Sequence, residues 1–202
     1  MEARGIAQFA YEVGQLKQLR RAGWLLAGVH NPETVAEHSF RVGVLAYVIA
    51  VLEGANADRA ATLGLFHDLP ETRIGDVPNV GRPYITTAAP HDVAADQVAE
   101  LPEILGRHIV ELIDEHEAAK TPAATPEAKC SRDADKLDCL LQAREYQAQG
   151  NQQVQRFVDS MVTAVHTETG KRLAAAALET EPSAWWAEFA AAFTSRVAAP
   201  TS

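Results

Sequence analysis

Residues 35–52, VAEHSFRVGVLAYVIAVL, constrain the fold more than any other stretch of the chain. Val35, His38, Val42, Leu45, Ile49 and Leu52 recur at spacings of three and four, which places them on one stripe of an α-helix. His38 therefore lies inside the face meant for a core. Upstream, Asn31 can cap the helix, Pro32 suits a first turn, and Thr34 with Glu37 fits a capping box. Gly54 stops the helix after Glu53. The unbroken apolar run, residues 42–52, is too short to span a bilayer, so a buried helix is predicted.

The rest of the chain repeats this pattern without a strand signal or an internal repeat. A first helix is predicted over 5–22, with Phe9, Val13, Leu16 and Leu19 in phase and a basic end. A third helix starts near Ala57 and runs into GLFHDLPETRIGDVP, residues 64–78. Gly75, Pro78, Gly81 and Pro83 make 72–88 a long loop, a length at which loops are often functional. A fourth helix spans about 91–119, interrupted near Pro102. KTPAATP is a linker, and a fifth helix runs from Pro126 to Gly150. A sixth covers 151–178, and a short last one follows Ser183. The expected architecture is all-α: a single domain over residues 1–202, with a core at about 16–150 and C-terminal helices at about 151–198.

The 202 residues are enough for one domain with a real core. A net charge of −9 without a basic stripe argues against a nucleic-acid polymer as partner. A small phosphorylated ligand needs only one local basic pocket. The N-terminus has no long apolar segment of the secretory kind. Cys130 and Cys139 face different ways on a predicted helix, too far apart to bridge, and fit a reducing compartment. The expectation is a cytoplasmic protein with no membrane partner.

The chemistry concentrates in a few residues. His67 and Asp68 are adjacent, Glu71 follows four residues after His67, and Asp76 lies close behind. Ala60, Gly64 and His67 share a helix face whose small residues leave room against it. Asp135 sits beside a stripe of Ala134, Leu137 and Leu141. Taken singly, a histidine on an apolar face is more often a hydrogen-bonded core residue, and Asp135 a solvated one. As a set, two histidines and two aspartates on three helices offer the nitrogen and oxygen ligands that suit Mn, Fe, Co, Ni or Zn. No thiolate cluster accompanies them, which disfavours a structural zinc site.

These motifs resemble the HD-domain metal-dependent phosphohydrolases, and most closely the 5′-deoxynucleotidase branch often called YfbR-like. The family pattern H…HD…D is met by His38 in TVAEHSFRV, His67 and Asp68 in LFHDLPE, and Asp135 in DADKLD. RRAGW, HDLPETRIGDVP and ADKLDCLLQAREY extend the likeness over about residues 16–147. The resemblance implies one divalent metal (Mn, Co, Fe, Ni, Zn or Mg) held by His38, His67, Asp68 and Asp135. It also implies a nucleoside monophosphate substrate and a homodimer, for which the Ala-rich C-terminal helices offer an interface. Asp68 would share a hydrogen bond with the attacking water. Glu71 would orient the nucleophile or hand a proton to the leaving alkoxide. Arg21 would neutralise phosphate, Trp24 would pack against the sugar or base, and Asp76 would bind the 3′-hydroxyl. Pro70 departs from the pattern and should kink or end the helix before Glu71. Arg41 is a second phosphate candidate, its surface role equally open. His116, in DEHEAAK, is expected on an exposed face, and His30, His91, His108 and His166 have no assigned role. The expected reaction is hydrolysis of (deoxy)nucleoside 5′-monophosphates. The alternatives are an HD-type hydrolase of another phosphorylated or modified nucleotide and a non-catalytic nucleotide-binding module.

Overall fold

The computed structural model describes residues 2–197, and these form helices and turns. No β-strand occurs among them, only an isolated bridge between Arg20 and Thr34. The expected domain limits at residues 1, 198 and 202 lie outside the described residues. In chain order the helices are α1 (Glu2–Val13), α2 (Ala22–Leu26), α3 (Val35–Glu53), α4 (Ala57–Phe66), α5 (Glu71–Ile74), α6 (Pro90–Gln97), α7 (Glu103–Ala118), α8 (Pro126–Ala148), α9 (Gln155–Ala164), α10 (Glu168–Glu179) and α11 (Ala184–Val197). Short 3₁₀ turns sit at Gly14–Lys17 and Gln152–Val154.

Helix α3 is the central element, packed against α4 and α8. It starts with the expected capping box between Thr34 and Glu37, and Gly54 ends it at φ 73°. Val35, His38, Val42 and Ile49 are buried as the stripe predicts. Leu45 is only half-buried and Leu52 is 59% exposed; Ala46 and Ala50 take the inner positions. The reason is geometric. A strict 3.5-residue repeat drifts by about 20° per heptad on a straight helix, so the predicted stripe leaves the core in its last turns. Phe40, Val44, Tyr47, Val48, Val51 and Leu52 form an exposed apolar face on the other side. By length and composition alone α3, at 19 residues, is long and apolar enough to cross a membrane. Its inner face is nevertheless committed to α4 and α8.

The room that small residues leave on α4 is filled by α3 itself. A Cβ on Gly64 would lie 3.1 Å from the backbone of Gly43 and Val42. The two helices therefore touch backbone to backbone, which brings the end of α4 close to His38.

Three predicted helices are divided. Residues 5–22 break because Arg20 and its neighbours pair with the segment before α3: Arg21 N donates to Glu33 O and Val35 N to Leu19 O. The 91–119 helix is interrupted at residues 98–102, with Pro102 before α7, as expected. The 151–178 helix splits at residues 165–167. There the buried Asp133 accepts hydrogen bonds from His166 N, Thr167 N and Thr167 Oγ1, and Thr167 caps α10.

Candidate metal centre

Helix α4 ends at Phe66, one residue before His67. Phe66 O would normally accept from the amide of residue 70, but Pro70 has no N–H. Leu69 N donates to Phe66 O instead, at 3.0 Å, tightening the chain into a turn. Glu71 then opens the short α5. His67 keeps helical dihedrals at the end of α4, so the turn carries His67, Asp68 and Glu71 to the mouth of the bundle.

Two histidines converge there. His38 Nδ1 bonds Asp138 Oδ2 at 2.6 Å, and His67 Nδ1 bonds Gly64 O at 2.7 Å. A carbonyl only accepts, so His67 Nδ1 must carry its proton and Nε2 is left as a bare lone pair. The same holds for neutral His38 against a carboxylate. Both Nε2 atoms are buried and have no hydrogen-bond partner. Around them stand carboxylates: His38 Nε2 is 3.5 Å from Asp68 Oδ2 and from Asp135 Oδ1, and His67 Nε2 is 3.1 Å from Asp68 Oδ2. Imidazole lone pairs buried against carboxylates with no donor of their own are costly. A divalent cation removes that cost, and the donor set of two imidazoles and two carboxylates fits one.

Burial would raise Asp68, yet His67, His38 and Arg21 hold it well below the usual carboxylate range. Burial and Arg21 push His38 down, but Asp135 and Asp138 outweigh them and raise it to about 9. A proton thus competes for the place a cation would take. Glu71 behaves in the opposite way. Burial, together with the charges of Asp68 and Asp76, raises it to about 10, so it holds its proton at neutral pH. Its Oε2 is buried without a partner.

Behind His38 a second set of groups runs between α3 and α8. Arg41, one turn after His38, bonds Asp138 through Nε, Glu145 at 2.6 Å and Gln142 at 3.1 Å. Arg41 is therefore occupied in holding Asp138, which is neither of the two roles, phosphate candidate or surface residue, that the sequence left open. Asp138 is the residue sequence reasoning missed. Its signal was present: DKLD repeats an aspartate at i+3 of Asp135, just as Arg41 stands at i+3 of His38, so both pairs share helix faces.

The substrate side forms a cavity of about 160 Å³, lined among others by Arg21, Trp24, Asp68, Glu71, Asp76 and Asp135. Arg21 precedes α2 in an extended conformation. It donates to Asp68 Oδ2 and to Cys139 Sγ, both at 3.2 Å. Asp76 accepts from Ala22 N at 2.6 Å, which ties the loop to the start of α2. Trp24 is 2% exposed, and its Nε1 donates to Glu33 at 2.9 Å. Arg82 and Lys136 also line the cavity and escaped the sequence reading. Lys136 bonds Asp135 at 2.6 Å. Arg82 sits between two turns, Gly81 N to Pro78 O and Tyr84 N to Gly81 O.

His116 corrects another expectation. It is 3% exposed, bonds Ser131 Oγ at 2.9 Å, and lies 4.8 Å from the His67 ring. On the far side of α7 from its expected solvent face, it packs behind His67. His91 pairs with Asp114 in the open, and His108 is exposed. Among the described residues, then, no further histidine pair joins the centre.

A helical bundle that buries two imidazole nitrogens without a protein partner among carboxylates fits a metal-dependent hydrolase of the HD type. The HD domain pattern matches residues 13–179. The human 5′-deoxynucleotidase HDDC2 is 33% identical over 88% of this chain and 92% of its own length. Its Bos taurus counterpart is 36% identical over 78% and 77%. A conserved hypothetical protein from Pyrococcus furiosus superposes with a TM-score of 0.68, at 26% identity, over 85% of this chain and 98% of that one. The chain belongs to the HD-domain family and, within it, to the 5′-deoxynucleotidases.

Proposed function

We propose that the protein hydrolyses (deoxy)nucleoside 5′-monophosphates to nucleoside and phosphate, using one divalent ion held by His38, His67, Asp68 and Asp135. The observation that carries this is the pair of buried, partnerless Nε2 atoms facing two carboxylates, beside the buried Glu71 carboxyl whose Oε2 also has no partner. The names of the curated relatives support the substrate class. When bound, the ion supplies Lewis acidity toward a phosphoryl oxygen and lowers the pKa of water from about 15.7 toward roughly 7. Asp68 accepts a hydrogen bond from the attacking water and orients it. As the bond from phosphorus to the 5′-oxygen breaks, Glu71 gives its proton to that oxygen, and the water's proton restores it. Arg21, whose guanidinium has donors beyond those given to Asp68 and Cys139, binds phosphate oxygens together with Arg82 and Lys136. Asp76 uses one oxygen on Ala22 N and offers the other to the sugar 3′-hydroxyl, with Trp24 beside the 2′-carbon.

The reading includes a cytoplasmic location, supported by two buried, unbridged cysteines. It also includes a homodimer. Phe40, Val44, Tyr47, Val48, Val51 and Leu52 are exposed on one face of α3, the kind of apolar grouping that marks contact surfaces. It stands beside the C-terminal helices, where Trp185, Trp186, Phe189 and Phe193 are exposed, as a candidate contact surface.

The test is phosphate release from nucleoside mono-, di- and triphosphates by metal-stripped protein supplied in turn with Mg, Mn, Co, Ni and Zn. Monophosphates should be turned over and the stripped protein should be inert. Release from triphosphates alone, or from nothing with any metal, would overturn the reading.

A further inference from the structure

The metal-side cavity, at about 160 Å³ and lined by charged groups, is too small for a whole nucleotide. A second cavity of about 530 Å³ adjoins it and shares Asn79, Phe157 and Met161 with it. Its chemistry is different. Leu26, Val80, Phe157 and Met161 give it apolar walls, with Arg156 at its polar edge. Its size is that of an ordinary small-molecule site.

We propose that this second cavity receives the base of the substrate: a planar heterocycle held between residue Val80 of the loop and Phe157 and Met161 of α9. The proposal rests on the reading of the protein as a nucleotidase and assigns the part of the substrate that reading leaves unplaced. The geometry at the junction supports it. The Phe157 ring packs against Trp24, with centroids 4.4 Å apart and planes at 40°, so an aromatic surface runs from the sugar position into the outer cavity. Gly23 makes this possible: a Cβ there would lie 3.3 Å from the Phe157 ring. The glycine of RRAGW therefore keeps the aromatic platform seated over the site. Trp24 is fixed from behind by its bond to Glu33 and an edge-on contact with Tyr146. Phe157 thus inherits a rigid support, as a stacking surface needs. The ligand is a flat ring with a π-face and not an alkyl chain, because one wall is aromatic and the rim is polar.

The test compares deoxyadenosine 5′-monophosphate with 2-deoxyribose 5-phosphate, which has the same sugar and phosphate but no base. The protein carries whichever divalent ion supports turnover. The base should improve kcat/KM by about 10- to 100-fold, the usual worth of stacking a base on an aromatic side chain. Met161→Ala and Phe157→Leu should shrink that ratio, mainly through KM, and deoxyadenosine should inhibit the wild type competitively but both variants weakly. Phe157→Leu also loosens Trp24, so Met161→Ala, which has no ring contact with Trp24, decides between stacking and support. Equal kcat/KM for the two substrates in the wild type would overturn the proposal. So would an unchanged ratio in Met161→Ala. If neither substrate releases phosphate, the nucleotidase reading fails, and competitive binding of deoxyadenosine measured by calorimetry still decides the fate of the cavity.

Discussion

The two histidines of the centre lie 5.3 Å apart, ring to ring, yet the α3–α8 side and the α4 side hold them by different means. His38 rests on a carboxylate 100 residues away in sequence, and that carboxylate is in turn gripped by Arg41. His67 rests on the carbonyl of Gly64, three residues earlier in its own helix. One support is ionic and belongs to the packing of two helices. The other is backbone and belongs to the way a single helix ends. A carboxylate behind an imidazole orients it and makes it a more basic ligand, whereas a carbonyl orients it and adds no charge. The α4 side therefore rests on the backbone of its own helix, and the α3–α8 side can be tuned by side chains from behind.

The largest effect is expected where the two sides meet. Asp68 faces both histidines and Arg21, so Asp68→Ala should bring phosphate release to background while circular dichroism shows the helices intact. Retained turnover would mean that neither side serves a metal. Glu71→Gln should lower kcat by roughly 10² to 10⁴, the usual worth of acid–base help, with metal content unchanged by elemental analysis. Loss of metal in that variant would make Glu71 a ligand. Glu71 also gives a pH test in metal-stripped protein. Its folded pKa, about 10, lies above its unfolded value, so between about 4.3, the ordinary glutamate value, and 10 the folded state binds the extra proton. Stability then falls as pH rises through that window. Removing the ionisable group removes this slope, so the Tm advantage of Glu71→Gln over wild type should grow from pH 5 to pH 9. A constant difference would contradict the raised pKa.

Smaller effects sharpen the contrast between the two supports. Asp138→Asn should weaken metal affinity about 10- to 100-fold in a competitive titration. Ser131→Ala, behind His116 on the other side, should leave it nearly unchanged, because His67 is held by backbone. Equal losses would show that the two sides are not different in kind. The smallest effect is expected at Arg82. Arg82→Ala should raise KM for a monophosphate about 5- to 10-fold with kcat little altered, a loss of about 1 kcal/mol typical of one charge-assisted hydrogen bond.

Much of this was legible in the sequence, and the limits have physical causes. Thr34, Gly54 and Pro126 act locally and located the ends of α3 and the start of α8; Asn31 and Pro32, the other start offered, lie before α3. The residues His38, His67, Asp68 and Asp135 could be named because their motif is short and ordered, and the structure brings them together. Divisions of helices by distant partners could not be read: residues 165–167 are turned by Asp133, more than thirty positions earlier. The same applies to Arg41 and His116, whose roles depend on what α8 places opposite them. Leu52 failed for a simpler reason, the accumulated drift between 3.5 and 3.6 residues per turn.

The central claim is that the buried Nε2 atoms of His38 and His67, which have no protein partner, serve to bind one divalent ion. Elemental analysis after dialysis against a chosen ion, for wild type and for His67→Ala, tests it most directly. About one ion per chain in the wild type and essentially none in the variant is the expected result. A full complement in folded His67→Ala, or no bound ion in the wild type at any supplied metal, would contradict it.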